Sequence, residues 1–329
     1  ATVLPKRKLG QSDIEVSAIG LGTWAIGGVM ANEDGSGHSW GSIDDDEAVL
    51  SMQWAIDAGV NFFDTSNNYG CGHAERLVGR AIAGRRDQVV IATKFGYVCK
   101  PGTRIILGPD ASRVAIEHML ETSLHNLGTD YIDLYHLHIY DLDVDEALRV
   151  RDLLETFVEQ GKIRSYGWST NNPERVQAFV GGEHCVAIQH HFNIMVRTQA
   201  VFDICRTAGV TTIARGPLGM GLLTGKYTHS TIMPDDDFRN DWNCQDGQEG
   251  RQLQLLDKIR ALLTQRGHTL PQAALAWLLT LDSAVVPIPG FKTLAQVQEN
   301  VGVLEKGLLS AEQMTEIDDI LTPEHILFR

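Results

Sequence analysis

No stretch of this chain approaches the roughly 18 consecutive apolar residues that a membrane-crossing helix needs. Its 28 lysines and arginines form no cluster and are outnumbered by 42 acids, for a formal charge of −14. That balance argues against nucleic acid and anionic membranes as partners and fits a solvated surface. The five cysteines, at 71, 99, 185, 205 and 244, include no Cys-x-x-Cys pair. An odd, scattered set argues against a disulfide framework and for a reducing compartment. The opening "ATVLPKRKLG" lacks the apolar segment of a secretory leader, so a cytoplasmic location is expected. Ten prolines and 32 glycines in 329 residues exclude a fibrous or disordered chain. An apolar share of 43% supplies a large core.

What the sequence does have is alternation. Strand-like segments fall at 15–24, 60–65, 88–96, 130–139, 163–169, 185–190, 210–216 and 284–290. Between them apolar residues recur at helical spacing, at 44–59, 75–84, 110–128, 144–161, 172–181, 198–209, 249–267, 271–281 and 293–304. A last helix is expected at 310–322, and a Gly/Asp/Asn-rich loop covers 217–248. Strands alternating with helices imply βαβ units and a parallel sheet. Eight such units predict a closed (β/α)8 TIM barrel, with an open doubly wound sheet as the alternative. Residues 5–17 read as an N-terminal β-hairpin capping the barrel bottom, and 1–329 as one domain.

Barrel chemistry sits at the C-terminal ends of strands. Strand 2 ends at Asp64, with Tyr69 in the loop beyond; strand 3 ends at Lys94; strand 4 ends in "YHLHIYD" with His136 and His138. Side chains alternate along a strand, so Phe62 shares a face with Asp64, Val90 and Ala92 with Lys94, and Leu134 with both histidines. If those faces point inward, Asp64, Lys94 and His138 converge at the mouth under Tyr69. An ammonium beside a phenol favours phenolate and is expected to lower the tyrosine's pKa. Such a tyrosine suits proton donation to a developing alkoxide, with a histidine to orient the carbonyl or relay the proton.

"FDTSNNYG", "IATK" and "DLYHLH" together resemble the Asp, Tyr, Lys and His motifs of the aldo-keto reductase superfamily. The resemblance covers roughly 6–320 and is greatest to the bacterial branches with general-stress reductases and channel β-subunit relatives. It implies a catalytic tetrad of Asp64, Tyr69, Lys94 and His138, and NADPH-dependent, reversible reduction of aldehydes and ketones. NADP(H) is then the preferred cofactor, with NAD(H) possible. By the same resemblance, Ser169, Asn171 and Gln189 hold the nicotinamide amide, and Gly216, Pro217, Leu218, Gly219, Gly221, Leu222 and Lys226 surround the pyrophosphate. "IPGFKTLAQVQEN" supplies Gly290, Phe291, Lys292, Thr293, Gln296, Glu299 and Asn300 for the adenosine phosphate, with Lys292 at the 2′-phosphate. Arg215 stands where many relatives carry the aromatic residue that stacks on nicotinamide, so it is assigned to stacking or to phosphate.

Competing readings are weaker. "GLGTWA" fits a dinucleotide-binding glycine pattern, but no helix follows it. In the barrel, Gly22, Thr23 and Trp24 end strand 1 and line the cofactor site. A metal-dependent hydrolase needs acids that the later strand ends do not offer; His136 is expected to be a satisfied core histidine, and His190 loop or wall. No metal is assigned. Cys71 is read as an ordinary small residue rather than a redox-sensitive one. Trp24, Trp40, Phe95 and Tyr97 are candidates for the substrate pocket. A barrel that holds NADP(H) as a redox sensor with little turnover is the alternative function. The expected partner is a small carbonyl compound, and a monomer is the expected state.

Overall fold

The structure, a computed structural model, describes residues 5–37, 40–235 and 237–328; the reading of the first four residues lies outside it. Eight parallel strands form the central sheet: β1 (Leu21–Gly22), β2 (Phe62–Asp64), β3 (Val90–Phe95), β4 (Ile132–Leu137), β5 (Ile163–Ser169), β6 (Cys185–His191), β7 (Thr211–Arg215) and β8 (Val285–Pro287). They pair in chain order. Gly20 and Gly22 donate backbone bonds to Pro287 and Pro289, closing the sheet into a barrel. A side chain at Gly22 would stand 2.9 Å from the Ile288 carbonyl, so the seam admits only glycine there.

Helices follow each strand: α1 (Asp45–Asp57), α2 (His73–Ala81), α3 (Arg113–Leu127), α4 (Val144–Glu159), α5 (Pro173–Phe179), α6 (Gln199–Ala208), α7 (Gln248–Thr264), α8 (Leu270–Leu281) and α9 (Leu294–Val301). The short α10 (Val303–Lys306) and α11 (Ala311–Ile320) come last. Asp44, Ser112, Asp143, Asn172, Thr269, Thr293 and Ser310 cap helix starts with their side chains. Among the described residues, no helix is long and apolar enough to cross a membrane.

The hairpin of Arg7–Lys8 and Glu15–Val16 seals the floor. Its Leu9, Ile14 and Val16 pack with Phe62, Val90, Ala92, Leu134 and Ile213 from inside the barrel. The outward residues Phe63, Ile91, Tyr135 and Leu137 pack in the larger cluster beneath the helices. So the inward face is the one that carries Asp64, Lys94 and His136.

The segments that follow β1 and β3 are ordered into a sheet of their own. Ala31–Asn32, Ile105–Pro109 and Tyr97–Cys99 pair over the barrel mouth. Cys99 is also disulfide-bonded to Cys71, which corrects the reading of these cysteines as unpaired. The bridge spans 28 residues of sequence, and no local pattern announces it.

Candidate active site

At the mouth, Lys94 is fully buried and spends its three N–H bonds on three oxygens. It donates to Asp64 Oδ2 at 2.7 Å, to the Thr65 carbonyl at 2.7 Å and to the Tyr69 phenol oxygen at 3.1 Å. Because that oxygen accepts from Lys94, the phenol's own proton is left for the cavity. The other oxygen of Asp64 accepts from Gln189 Nε2 at 2.8 Å. Burial opposes both charges, raising Asp64 and lowering Lys94, while their mutual attraction counteracts it.

The tyrosine behaves differently from the expectation. Burial, reinforced by the Asp64 charge, pushes the Tyr69 phenol well above its ordinary value. Desolvation of the phenolate outweighs the neighbouring ammonium. The site therefore keeps a protonated phenol at neutral pH.

His138 is buried and its ring meets that of Tyr69 edge-on, with centroids 6.2 Å apart. Ser66 Oγ donates to Asn68 Oδ1, so it accepts from His138 Nδ1 at 3.2 Å; the other ring nitrogen accepts from Tyr140 at 3.1 Å. Burial and the charges of Lys94 and Arg215 hold the ring well below the usual histidine range, hence neutral.

These groups open on a cavity of about 650 Å3. Gly22, Thr23, Trp24, Asp64, Tyr69, His138 and Gln189 line one part of it. Arg215, Gly216, Pro217, Leu218, Gly221, Lys226, Gly290, Phe291, Lys292, Gln296, Glu299 and Asn300 line the rest. Trp40 and Tyr97 are on the wall too.

Other assigned residues lie off that wall. Phe95 is fully buried against Tyr135, because alternation turns it outward when Lys94 points in. Leu222 packs with Cys244 and Leu253. Gly219 opens a 3-10 turn, and Thr293 is the N-cap of α9. Asn171 faces a smaller neighbouring cavity of about 480 Å3, and its Oδ1 accepts from the His191 amide. Arg215 places its guanidinium 5.4 Å over the Tyr140 ring, and its Nε is buried without a protein partner. His136 is buried, but neither ring nitrogen has a partner, so it is not the satisfied histidine expected. His190 is neither loop nor wall: it is buried on β6, bonded to Thr198 and Thr212, and pushed down to about 3 by burial.

The wall also holds residues that were not assigned. Tyr140 shares the inward period of His136 and His138, so alternation signalled it. Met30 and Ile106 come from the unforeseen sheet over the mouth. Arg239 arrives from the long loop, held by both oxygens of Asp237 and stacked 4.5 Å over Trp40. Lys292 donates to the Trp40 carbonyl, which ties the loop after β1 to the start of α9. Burial and the nearby Arg239 and Lys226 lower the Lys292 pKa, the mark of a cationic cluster.

The polar atoms fit a nicotinamide dinucleotide. Ser169 and Gln189 pair across adjacent strands, and Ser169 Oγ and Gln189 Oε1 are both buried without a protein partner. A carboxamide, with its two N–H groups and one carbonyl, is complementary to that pair. Lys226, Arg239 and Lys292 gather positive charge elsewhere on the wall.

Residues 18–322 match the Aldo/keto reductase family. The chain belongs to the aldo/keto reductase family. It is 32% identical over 321 residues to the aldo-keto reductase YhdN of Bacillus subtilis, covering 95% of this chain and 92% of that one. It is 33% identical over 318 residues to the NADP(+) aldo-keto reductase yakc of Schizosaccharomyces pombe, covering 94% and 89%. The glycerol dehydrogenase AKR11B4 of Gluconobacter oxydans superposes with a TM-score of 0.83 at 31% identity, covering 98% and 96%. Family membership and the barrel agree with the motif reading; Asp64, Tyr69 and His138 line one cavity, and Lys94 is buried behind them, bonded to Asp64 and Tyr69.

Proposed function

We propose that this protein reduces aldehydes or ketones with NADPH, reversibly, and that Tyr69 is the general acid. The observation that carries the reading is the convergence of Asp64, Thr65 and Tyr69 oxygens on Lys94 Nζ at the wall of a cavity fit for a dinucleotide. The bound nicotinamide supplies the hydride. Tyr69 delivers its proton to the carbonyl oxygen as negative charge grows there. The phenolate oxygen left behind keeps the hydrogen bond from Lys94, and Asp64 holds that ammonium in place. A phenol of high pKa in the free protein is a stable proton store; the developing alkoxide, a stronger base, draws the proton out. His138, being neutral, steers the approach of the carbonyl rather than supplying the proton.

Ser169 and Gln189 orient the carboxamide in this reading, and Lys292 with Lys226 and Arg239 meets the phosphates. The NADP(+) relative supports the phosphorylated cofactor. A panel of carbonyl compounds with NADPH and NADH, run on wild type and Tyr69→Phe, tests the proposal. Steady turnover is expected in wild type. The variant should lose turnover while still binding cofactor. Equal rates in both would remove Tyr69 as the acid, and a single slow oxidation of bound cofactor would favour the redox-sensor reading.

A further inference from the structure

The segment that carries Tyr69 is held in an unusual backbone. Gly70, Cys71 and Gly72 run in succession at φ of 60°, 52° and 84°. Cys71 is one of two non-glycine residues among those described with positive φ. An L residue rarely adopts that conformation unless its surroundings hold it there. Within the segment the backbone donors Tyr69, Cys71, His73 and Ala74 reach Ser66, Asn68, Gly70 and Tyr69 at 3.2, 3.3, 3.3 and 3.1 Å. Two further tethers come from the facing strand. Asn67 Nδ2 donates to the Tyr97 carbonyl at 2.9 Å, and Cys71 is joined to Cys99.

Both tethers end on one strand, Tyr97–Cys99. Tyr97 lines the cavity, its ring 5.8 Å from that of His138. The residue paired with Cys99, Ile106, lines it too. The bridge therefore connects the loop of the proposed acid to the wall facing it. Cys71 and Cys99 are each half-buried, whereas Cys185, Cys205 and Cys244 are buried.

We propose that Cys71 and Cys99 form a redox-active modification site, open to exchange with small dithiols and disulfides, whose bridged form holds the Tyr69 loop against the Tyr97–Ile106 wall. In the forward step a dithiol's thiolate attacks one sulfur, the Cys71–Cys99 bond breaks, and the other cysteine leaves as thiolate. The reductant's second thiol resolves the mixed disulfide. Two electrons and two protons pass to the cysteines, and the dithiol becomes a cyclic disulfide. The oxidised dithiol reverses the step. Reduction leaves the Asn67–Tyr97 bond as the remaining one of the two tethers to that strand. The loop and wall then separate more often, and the carbonyl is held less well. The modification stands apart from the proposed reaction; its effect on turnover rests on it.

The test equilibrates the full chain in graded ratios of reduced to oxidised dithiothreitol, then alkylates without denaturant and measures intact mass. Two labels are expected to appear reversibly on reduction, and none in a Cys71→Ser/Cys99→Ser variant. Hydrogen exchange should quicken in segments 66–73 and 97–106 of the reduced protein. A label count that does not change with redox ratio overturns the proposal, as does unchanged exchange in both segments. With an aldehyde, reduction should raise KM on the order of tenfold with little change in NADPH binding, and the double variant should match the reduced enzyme and ignore the dithiol. A KM unmoved by reduction overturns the link to the cavity. No carbonyl turnover in either redox state would count against the reductase reading, and the label and exchange results would still decide this one.

Discussion

The barrel interior has two layers built from the same strands. On its floor, Phe62, Val90, Ala92 and Leu134 are buried among apolar neighbours and sealed by Leu9, Ile14 and Val16. Two residues further along, the same faces carry Asp64, Lys94 and His136, equally buried and polar. Nothing in backbone geometry separates the layers. The floor gains from burial, while the mouth bears the cost of burying charge and recovers part of it through Lys94 and its three acceptors. In β2, β3 and β4 apolar packing and buried polar groups thus occupy opposite ends of the strand.

The sharpest break of that contrast pairs a mouth variant with a floor variant. Tyr69→Phe should lower kcat by roughly 10²–10⁴-fold with a melting temperature close to wild type; a parallel loss of stability would erase the distinction. Phe62→Ala, on the face of Asp64 but one layer below, should cost about 3–5 kcal/mol in urea unfolding while the folded fraction keeps its kcat/KM. Lys292→Ala extends the contrast to the far wall of the mouth. Loss of a charge-assisted hydrogen bond is worth about 1.5–3 kcal/mol, so KM for NADPH should rise about tenfold or more and KM for NADH should hardly move.

The smallest effect concerns the boundary. His136 lies between Leu134 on the floor and His138 at the mouth. Burial and the Lys94 charge hold it well below its ordinary value. The unfolded chain then binds a proton that the folded chain does not, so stability is full above about pH 6.5 and falls as pH drops below it. His136→Gln should make that fall shallower, by at most about 1.4 kcal/mol per pH unit, in melting curves between pH 6.5 and 5. An unaltered slope would mean that the boundary layer is not titrating.

Alternation put Asp64, Lys94 and both histidines of strand 4 on inward faces, because the apolar residues before them set that period; Tyr69, in a loop, and the choice of His138 over His136 came from the motif resemblance. The same rule, carried further, would have added Tyr140 and removed Phe95 from the pocket candidates, since Phe95 follows an inward lysine and so faces outward. The tyrosine's pKa was not legible, since burial is its largest cause and the Asp64 charge adds to it, and how much water the fold excludes is not written in the motif. Arg239 escaped for a related reason. It lies in a loop with no period, and its place over Trp40 is set by the Asp237 carboxylate and the aromatic rings around it.

The sequence by itself determined the order of strands and helices, the inward face of each strand and the residue types gathered at their C-terminal ends. Those follow from periods of two and of 3.6 residues, which are local properties of the chain. Only the tertiary structure decided that Cys71 meets Cys99, that a three-stranded sheet roofs the cavity and that Ser169 and Gln189 are left with open polar atoms. Each of these depends on distances between segments far apart in the chain, and no periodicity encodes such a distance.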